Sequence, residues 1–349
     1  MPSLVERTQA RAVRALLSLP PSVVRRLAGA PEHNVFAAVL DPHAQLLARL
    51  QKLAQRPGYS AISVAAARAE LALGVAVVEA APPSGVRVDE RMIDGAAGPL
   101  PARVYTPPDA PGPLPVLVFF HGGGFVVGSP AVYDAGCRTT AVEARCVVVS
   151  VDYRLAPEHR FPAAADDALA AFRWVVAHAA ALGGDVARVA VGGDSAGGNL
   201  AAVTALRARD EGGPRPVFQW LVYPATDMTR AMPSHREHAA GPFLDGPTMA
   251  WFLDHYVPDP AQRTHPHASP LFAERHTDLP PACVVTAGFD PLRDEGAAYA
   301  DRLHNAGIPL TRVEAPALVH GFFTMSGVLP AAKERRAAAL AALRRGLHG

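Results

Sequence analysis

Short Val-rich apolar runs, alternating with helix-like segments, constrain this chain more than any other feature. The runs are Pro115–Phe120, Cys146–Val151, Val186–Val191, Phe218–Val222 and Cys283–Val285. Runs this short and this continuously apolar fit strands buried on both faces of a mostly parallel sheet. Helix-like segments follow at Ala163–Ala180, Gly197–Arg209, Asp294–Asn305 and Ala332–Leu347. That alternation predicts an α/β fold with right-handed crossovers. Half of the residues are hydrophobic, enough for a substantial core and too many for global disorder.

Two regions depart from the alternation. Residues 1–85 read as helical, with apolar spacing at Val13, Leu16 and Leu17, then at Leu46, Leu47, Leu50 and Leu53. Pro20-Pro21, Pro31 and Arg56-Pro57-Gly58 interrupt this zone, and Ala81-Pro82-Pro83-Ser84-Gly85 closes it. Two strands are expected next, at Val86–Val88 and Ala102–Tyr105, turning near Asp94-Gly95. The second departure lies between Pro224 and Ala282. At about 55 residues it is too long for a simple crossover. It reads as an inserted cap with a short helix at Pro247–Tyr256.

Charge and cysteine content exclude several classes. Basic residues number 33 and acidic residues 32, so nothing draws the chain to nucleic acid or another polyanion. Cys137, Cys146 and Cys283 are too few and scattered for a disulfide framework or a zinc site. A reduced, cytoplasmic chain is the expectation. No apolar run reaches about 18 residues, so stable membrane insertion is not expected. Met1–Ala30 is Arg-rich and lacks the apolar centre of a secretory signal; an amphipathic surface or cap helix suits it better. His235, His238, His255, His265 and His267 lack metal-ligand spacing and are expected on the cap surface.

Chemistry concentrates in four places. Gly193-Asp194-Ser195-Ala196-Gly197 follows a buried strand and opens a helix, the setting of a nucleophile elbow. The glycines permit a turn where side chains would clash, and the helix start favours developing negative charge. His121-Gly122-Gly123-Gly124-Phe125 directly follows the first apolar run. Its glycines free backbone N–H groups to face a ligand. No phosphate-binding Gly-Lys-Ser/Thr accompanies them, and His121 is expected to be structural. A serine nucleophile needs a base and the base an orienting acid, in the chain order Ser, acid, His. Asp290, just past the strand near 282–287, is favoured over Asp294, which suits the next helix's first turn. Thr311–Glu314 reads as the last strand, and His320, beside Gly321 on the loop that follows, is the matching base.

Together with Asp152-Tyr-Arg-Leu-Ala-Pro-Glu158, Asp290-Pro-Leu-Arg-Asp-Glu295 and His320-Gly-Phe322, these motifs stand in the order of a known family. The chain resembles the hormone-sensitive-lipase-like (bacterial family IV) esterases over about residues 41–349. The resemblance implies an α/β-hydrolase fold: a mostly parallel eight-stranded sheet flanked by helices, with a helical cap. Residues 1–85 would form an N-terminal extension and cap. Residues 86–349 would form the catalytic domain, with a cap insertion at about 228–266. It further implies Ser195 as nucleophile, His320 as base then acid, and Asp290 as orienting carboxylate. The oxyanion donors would be the N–H groups of Gly123, Gly124 and Ala196. Glu158 and Asp194 would brace the site, as would His121. Phe125 stands where some relatives have Trp, and with Phe243, Trp251 and Phe252 it would wall an acyl pocket.

The expected function is a carboxylesterase acting on small-molecule esters with short to medium acyl chains, through an acyl-enzyme. No metal or organic cofactor is called for, and a homodimer is compatible with the sequence. An amidase, lactonase or deacetylase would use the same chemistry. A non-catalytic small-molecule receptor would keep the pocket and lose the base, whereas His320 is present.

Overall fold

The computed structural model describes residues 4–55, 57–108 and 112–349. Its sheet has eight strands: β1 Arg87–Gly95, β2 Gly98–Thr106, β3 Leu114–Phe120, β4 Val147–Val151, β5 Gly184–Asp194, β6 Gln219–Val222, β7 Ala282–Phe289 and β8 Leu310–Val319. They lie in the order β1-β2-β4-β3-β5-β6-β7-β8. The β1–β2 and β2–β4 pairs are antiparallel and the others parallel. This is the mostly parallel eight-stranded sheet expected from the sequence.

The helices are α1 Leu4–Leu17, α2 Pro21–Ala28, α3 Pro42–Leu53, α4 Val64–Val78, α5 Asp134–Ala144, α6 Ala163–His178, α7 Ala196–Asp210, α8 Pro233–Glu237, α9 Gly246–Tyr256, α10 Arg293–Asn305 and α11 Pro330–His348. The strand period of two sorts each Val-rich run between two cores. Val116, Val118 and Phe120 face one core with residues of α6, α7 and α10, while Leu117 and Phe119 face the other with α5 and α11. Continuous apolar character is therefore the signature of a sheet covered on both sides. Helix α5 was not expected. Gly136, Thr139 and Thr140 weaken its helical signal, yet Gly136, Ala141 and Ala144 are buried, and small residues let it lie close to its neighbours. Cys137, Cys146 and Cys283 are unpaired and buried.

Local chemistry sets the N-terminal helices. Pro21 and Pro42 occupy first-turn positions, and Asp41 caps α3 by accepting from the N–H groups of His43 and Ala44. Of the expected Arg56-Pro57-Gly58 break, Arg56 lies outside the described residues. The Arg14 guanidinium donates to the carbonyls of Ala76, Val77 and Glu79 at the end of α4, satisfying groups the helix leaves open. Glu79 in turn accepts from Arg336 of α11 at 2.6 Å, a buried ion pair that anchors this end.

The insertion is fastened from below by Glu295 on α10. Its carboxylate is buried and accepts from the backbone N–H groups of Thr226 and Asp227, and its other oxygen meets His235. The expectation of surface histidines fails here. His235 and His238 are both buried, because the insertion folds them down onto α10 and the residues preceding it.

Candidate active site

Four loops at the C-terminal edge of the parallel strands carry the motifs. His121 follows β3, Ser195 follows β5, Asp290 follows β7 and His320 follows β8. Ligands collect at this edge in open α/β sheets.

Ser195 takes φ 55° and ψ −117°, an unfavourable backbone state for a side-chain-bearing residue. The turn is enforced by close approach. A Cβ on Gly197 would lie 1.8 Å from the Phe120 carbonyl oxygen, and one on Gly193 would lie 2.3 Å from it. Only glycine fits either place. The Ser195 N–H donates to Val222 O at 2.8 Å, binding the turn to the next strand.

The structure brings Ser195, His320 and Asp290 together. His320 Nδ1 lies 2.8 Å from Asp290 Oδ2, and Nε2 lies 2.9 Å from Ser195 Oγ. A carboxylate on Nδ1 assigns the proton there, leaving Nε2 to accept the serine hydroxyl. Asp290 is fully buried, and its second oxygen accepts from Leu292 N at 2.8 Å. The Tyr223 ring packs 4.7 Å from the imidazole, centroid to centroid. Such a relay can take a hydroxyl proton and return it to a leaving group.

Beside this relay runs the Gly122-Gly123-Gly124 turn. Among the described residues, the N–H groups of Gly123, Gly124 and Ala196 donate to no protein acceptor. The Gly122 N–H is engaged, donating to Asp194 Oδ1 at 2.8 Å. Tyr133 donates to Asp194 Oδ2 at 3.1 Å. Burial pushes the Asp194 carboxyl up to about 6, opposed by its hydrogen bonds to Tyr133 and Gly122. His121 is wholly buried, stacked at 4.4 Å on Tyr153, and its Nδ1 donates to Gly122 O. Burial lowers its pKa to about 4, so it stays neutral and shapes the loop. Tyr153 donates to His121 O at 2.7 Å.

Glu158 lies farther out. It does not touch the relay; it pairs with Arg68 on α4. Arg68 also donates to Val126 O and Ala156 O, on the stretches following the glycine turn and β4. Any bracing by Glu158 therefore passes through Arg68, which sequence reasoning missed. The two residues are 90 positions apart, and nothing local marks the pairing.

A cavity of about 1120 Å³ opens over Ser195 and His320. Phe125, Phe243 and Phe252 line it, with Tyr59, Leu71 and Met249 among the other walls. Phe252 lies directly over Gly124, where a Cβ would come within 2.2 Å of its ring. Phe125 is nearly buried and stacks at 3.9 Å on Tyr256. Trp251 is a correction. It is not among the described residues lining the cavity; it packs on Tyr59 and His255. One step along a helix turns a side chain by about 100°, so Phe252 faces the cavity while the Trp251 ring packs on its flank, 5.4 Å from the Phe252 ring.

Comparison with known proteins agrees with this architecture. The alpha/beta hydrolase fold family matches residues 117–324. Esterase LipI of Mycobacterium tuberculosis is 49% identical over 267 residues, covering 76% of this chain and 83% of that protein. Carboxylic ester hydrolase LipN of the same organism is 42% identical over 322 residues, covering 90% and 85%. A solved Pyrobaculum calidifontis esterase superposes with a TM-score of 0.79 at 41% identity, covering 85% of this chain and 97% of that one. The chain therefore belongs to the α/β hydrolases, in their hormone-sensitive-lipase-like branch.

Proposed function

We propose that this protein is a carboxylesterase that cleaves small esters with short to medium acyl chains through an acyl-enzyme. The observation that carries this reading is the Ser195–His320–Asp290 relay, with contacts of 2.9 and 2.8 Å, at the floor of an apolar cavity. The names of the relatives LipI and LipN support it.

Ser195 Oγ attacks the acyl carbonyl while His320 Nε2 takes its proton. Asp290 holds the imidazole and balances the charge that forms on it. The carbonyl oxygen becomes an oxyanion facing the N–H groups of Gly123, Gly124 and Ala196, each worth about 2.7–4 kcal/mol in the transition state. His320 then protonates the departing alcohol. Water, deprotonated by His320, attacks the acyl-enzyme and releases the acid and free Ser195. Asp194 and His121 keep the glycine turn in place.

Residues 1–85 and the insertion near 228–266 act as one discontinuous cap over the 86–349 catalytic domain. Both contribute to the cavity wall, through Tyr59 and Leu71 on one side and Phe243 and Phe252 on the other. The cytoplasm is the proposed compartment, which three unpaired buried cysteines suit. Among the described residues no helix is long and apolar enough to cross a membrane.

The test is turnover of 4-nitrophenyl esters from acetate to palmitate, compared with matching anilides. Butyrate-length esters should be cleaved fastest, and Ser195→Ala should lose at least about 10³-fold in kcat. Full turnover by Ser195→Ala, or rates rising steadily to palmitate, would overturn the reading.

A further inference from the structure

We infer that Arg230 makes the cavity selective for esters that also carry a carboxylate. The inference rests on the esterase reading and names a substrate class within it.

Arg230 lies in the insertion and lines the same cavity as Ser195 and His320. Its backbone is held at φ 61°, which a non-glycine residue adopts only at some cost. Its Nε is buried with no hydrogen-bond partner. One Nη lies beside Gly246 at the start of α9, 3.6 Å from where a Cβ would stand. Among the described residues, its guanidinium forms no ion pair.

Exposed arginines without an acid partner are common here, but among the described residues every other arginine that is not exposed has one. Arg154 pairs with Asp167, Arg207 with Asp166 and Glu211, Arg293 with Glu237 and Asp294, and Arg336 with Glu79. Three acids that line the same cavity are already engaged. Asp227 accepts from the N–H and hydroxyl of Thr229, Asp245 caps α9 through Thr248 N, and Glu295 is held by Thr226, Asp227 and His235. The other acids lining the cavity are Asp194, bound to Gly122 and Tyr133, and Glu32 and Glu70 of the N-terminal segment. Among the described residues, the other cavity arginine and lysine, Arg49 and Lys52, are exposed.

A partly desolvated guanidinium with no counter-ion is costly. A carboxylate answers that cost with paired, charge-assisted hydrogen bonds to the planar fork. The fitting substrates are half-esters of dicarboxylic acids, with the carboxylate on the acyl side, or esters of hydroxy acids, with it on the alcohol side. In either case the apolar walls hold the chain between the reacting carbonyl and the charge.

Two substrate pairs test this in the intact protein. On the acyl side, 4-nitrophenyl hemiglutarate is compared with 4-nitrophenyl pentanoate. On the alcohol side, 4-carboxyphenyl butyrate is compared with its methyl ester. In at least one pair the carboxylate member should have kcat/KM about tenfold or more above the neutral one. Arg230→Met should erase that preference by about 10- to 100-fold, the range for hydrogen bonds to charged groups, and Arg230→Lys should keep part of it. Turnover of 4-nitrophenyl butyrate should change less than about threefold in Arg230→Met, on the expectation that uniform binding of the neutral ester does not use the cation. The inference is overturned if the neutral member is equal or better in both pairs, or if Arg230→Met keeps the wild-type ratio. Should Arg230→Met fail to fold, the wild-type comparison and Arg230→Lys decide alone. Absence of any Ser195-dependent ester turnover would instead sink the esterase reading, and this inference with it.

Discussion

Asp194 is a carboxylate that the fold keeps at a cost, and replacing it with Asn should change how stability depends on pH. The group is buried beneath the glycine turn, where it accepts from Gly122 N and Tyr133. Burial raises its pKa from 3.8 to about 6. Between those values the folded chain holds a proton that the unfolded chain has released. Stability therefore falls as pH rises from about 4 through 6, and is level above. A gap of about 2 units corresponds to about 3 kcal/mol. Asp194→Asn cannot ionise and should escape that loss. Its side-chain oxygen can still accept from Gly122, and the Tyr133 hydroxyl can turn to accept from the amide.

The measurement is urea unfolding of both proteins at pH 4, 5, 6 and 7. Subtracting one curve from the other removes the remaining titrating groups, Glu295 and His235 among them. The stability of Asp194→Asn relative to wild type should rise by about 2–2.5 kcal/mol across that span, because part of the gap already lies below pH 4. Parallel curves would refute the reasoning, since they would mean that Asp194 ionises in the folded chain as easily as in water.

Three further comparisons follow from the structure. Arg68→Ala removes two hydrogen bonds to the Val126 and Ala156 carbonyls, together about 1–3 kcal/mol. Steady-state kinetics should show kcat falling about tenfold with KM little changed, whereas Glu158→Gln should cost under about twofold because that pair is largely exposed. Phe252→Ala should raise KM for butyrate esters about tenfold, while Trp251→Ala should leave kcat/KM within about threefold and lower only Tm, since Trp251 packs outside the cavity. Arg336→Ala leaves Glu79 buried and unpaired, which should cost about 3–5 kcal/mol in urea unfolding. The paired change Glu79→Gln with Arg336→Met should recover most of that loss.

What could be read from the sequence divides along the range of the interaction that decides it. The Val-rich strands were legible because a residue's two-faced burial leaves its own trace, as Val116 to Phe120 show by dividing between two cores. Gly193 and Gly197 were legible because the contact that excludes a Cβ arises within one strand-turn-helix unit against its neighbouring strand. Helix α5 was not, because its Gly136 and paired threonines speak against a helix until packing overrides propensity. His235 was misplaced on the surface because its partner, Glu295, is 60 positions away. Arg230 marks the far end of this scale. Its sequence neighbourhood is an ordinary polar stretch. Its meaning comes by subtraction, from the carboxylates around it being held by other groups, and no local pattern can carry that information. The contrast with Ser195 is one of encoding. A nucleophile needs a particular turn, which sequence can encode locally, whereas an unmatched charge needs only that every nearby partner be engaged elsewhere.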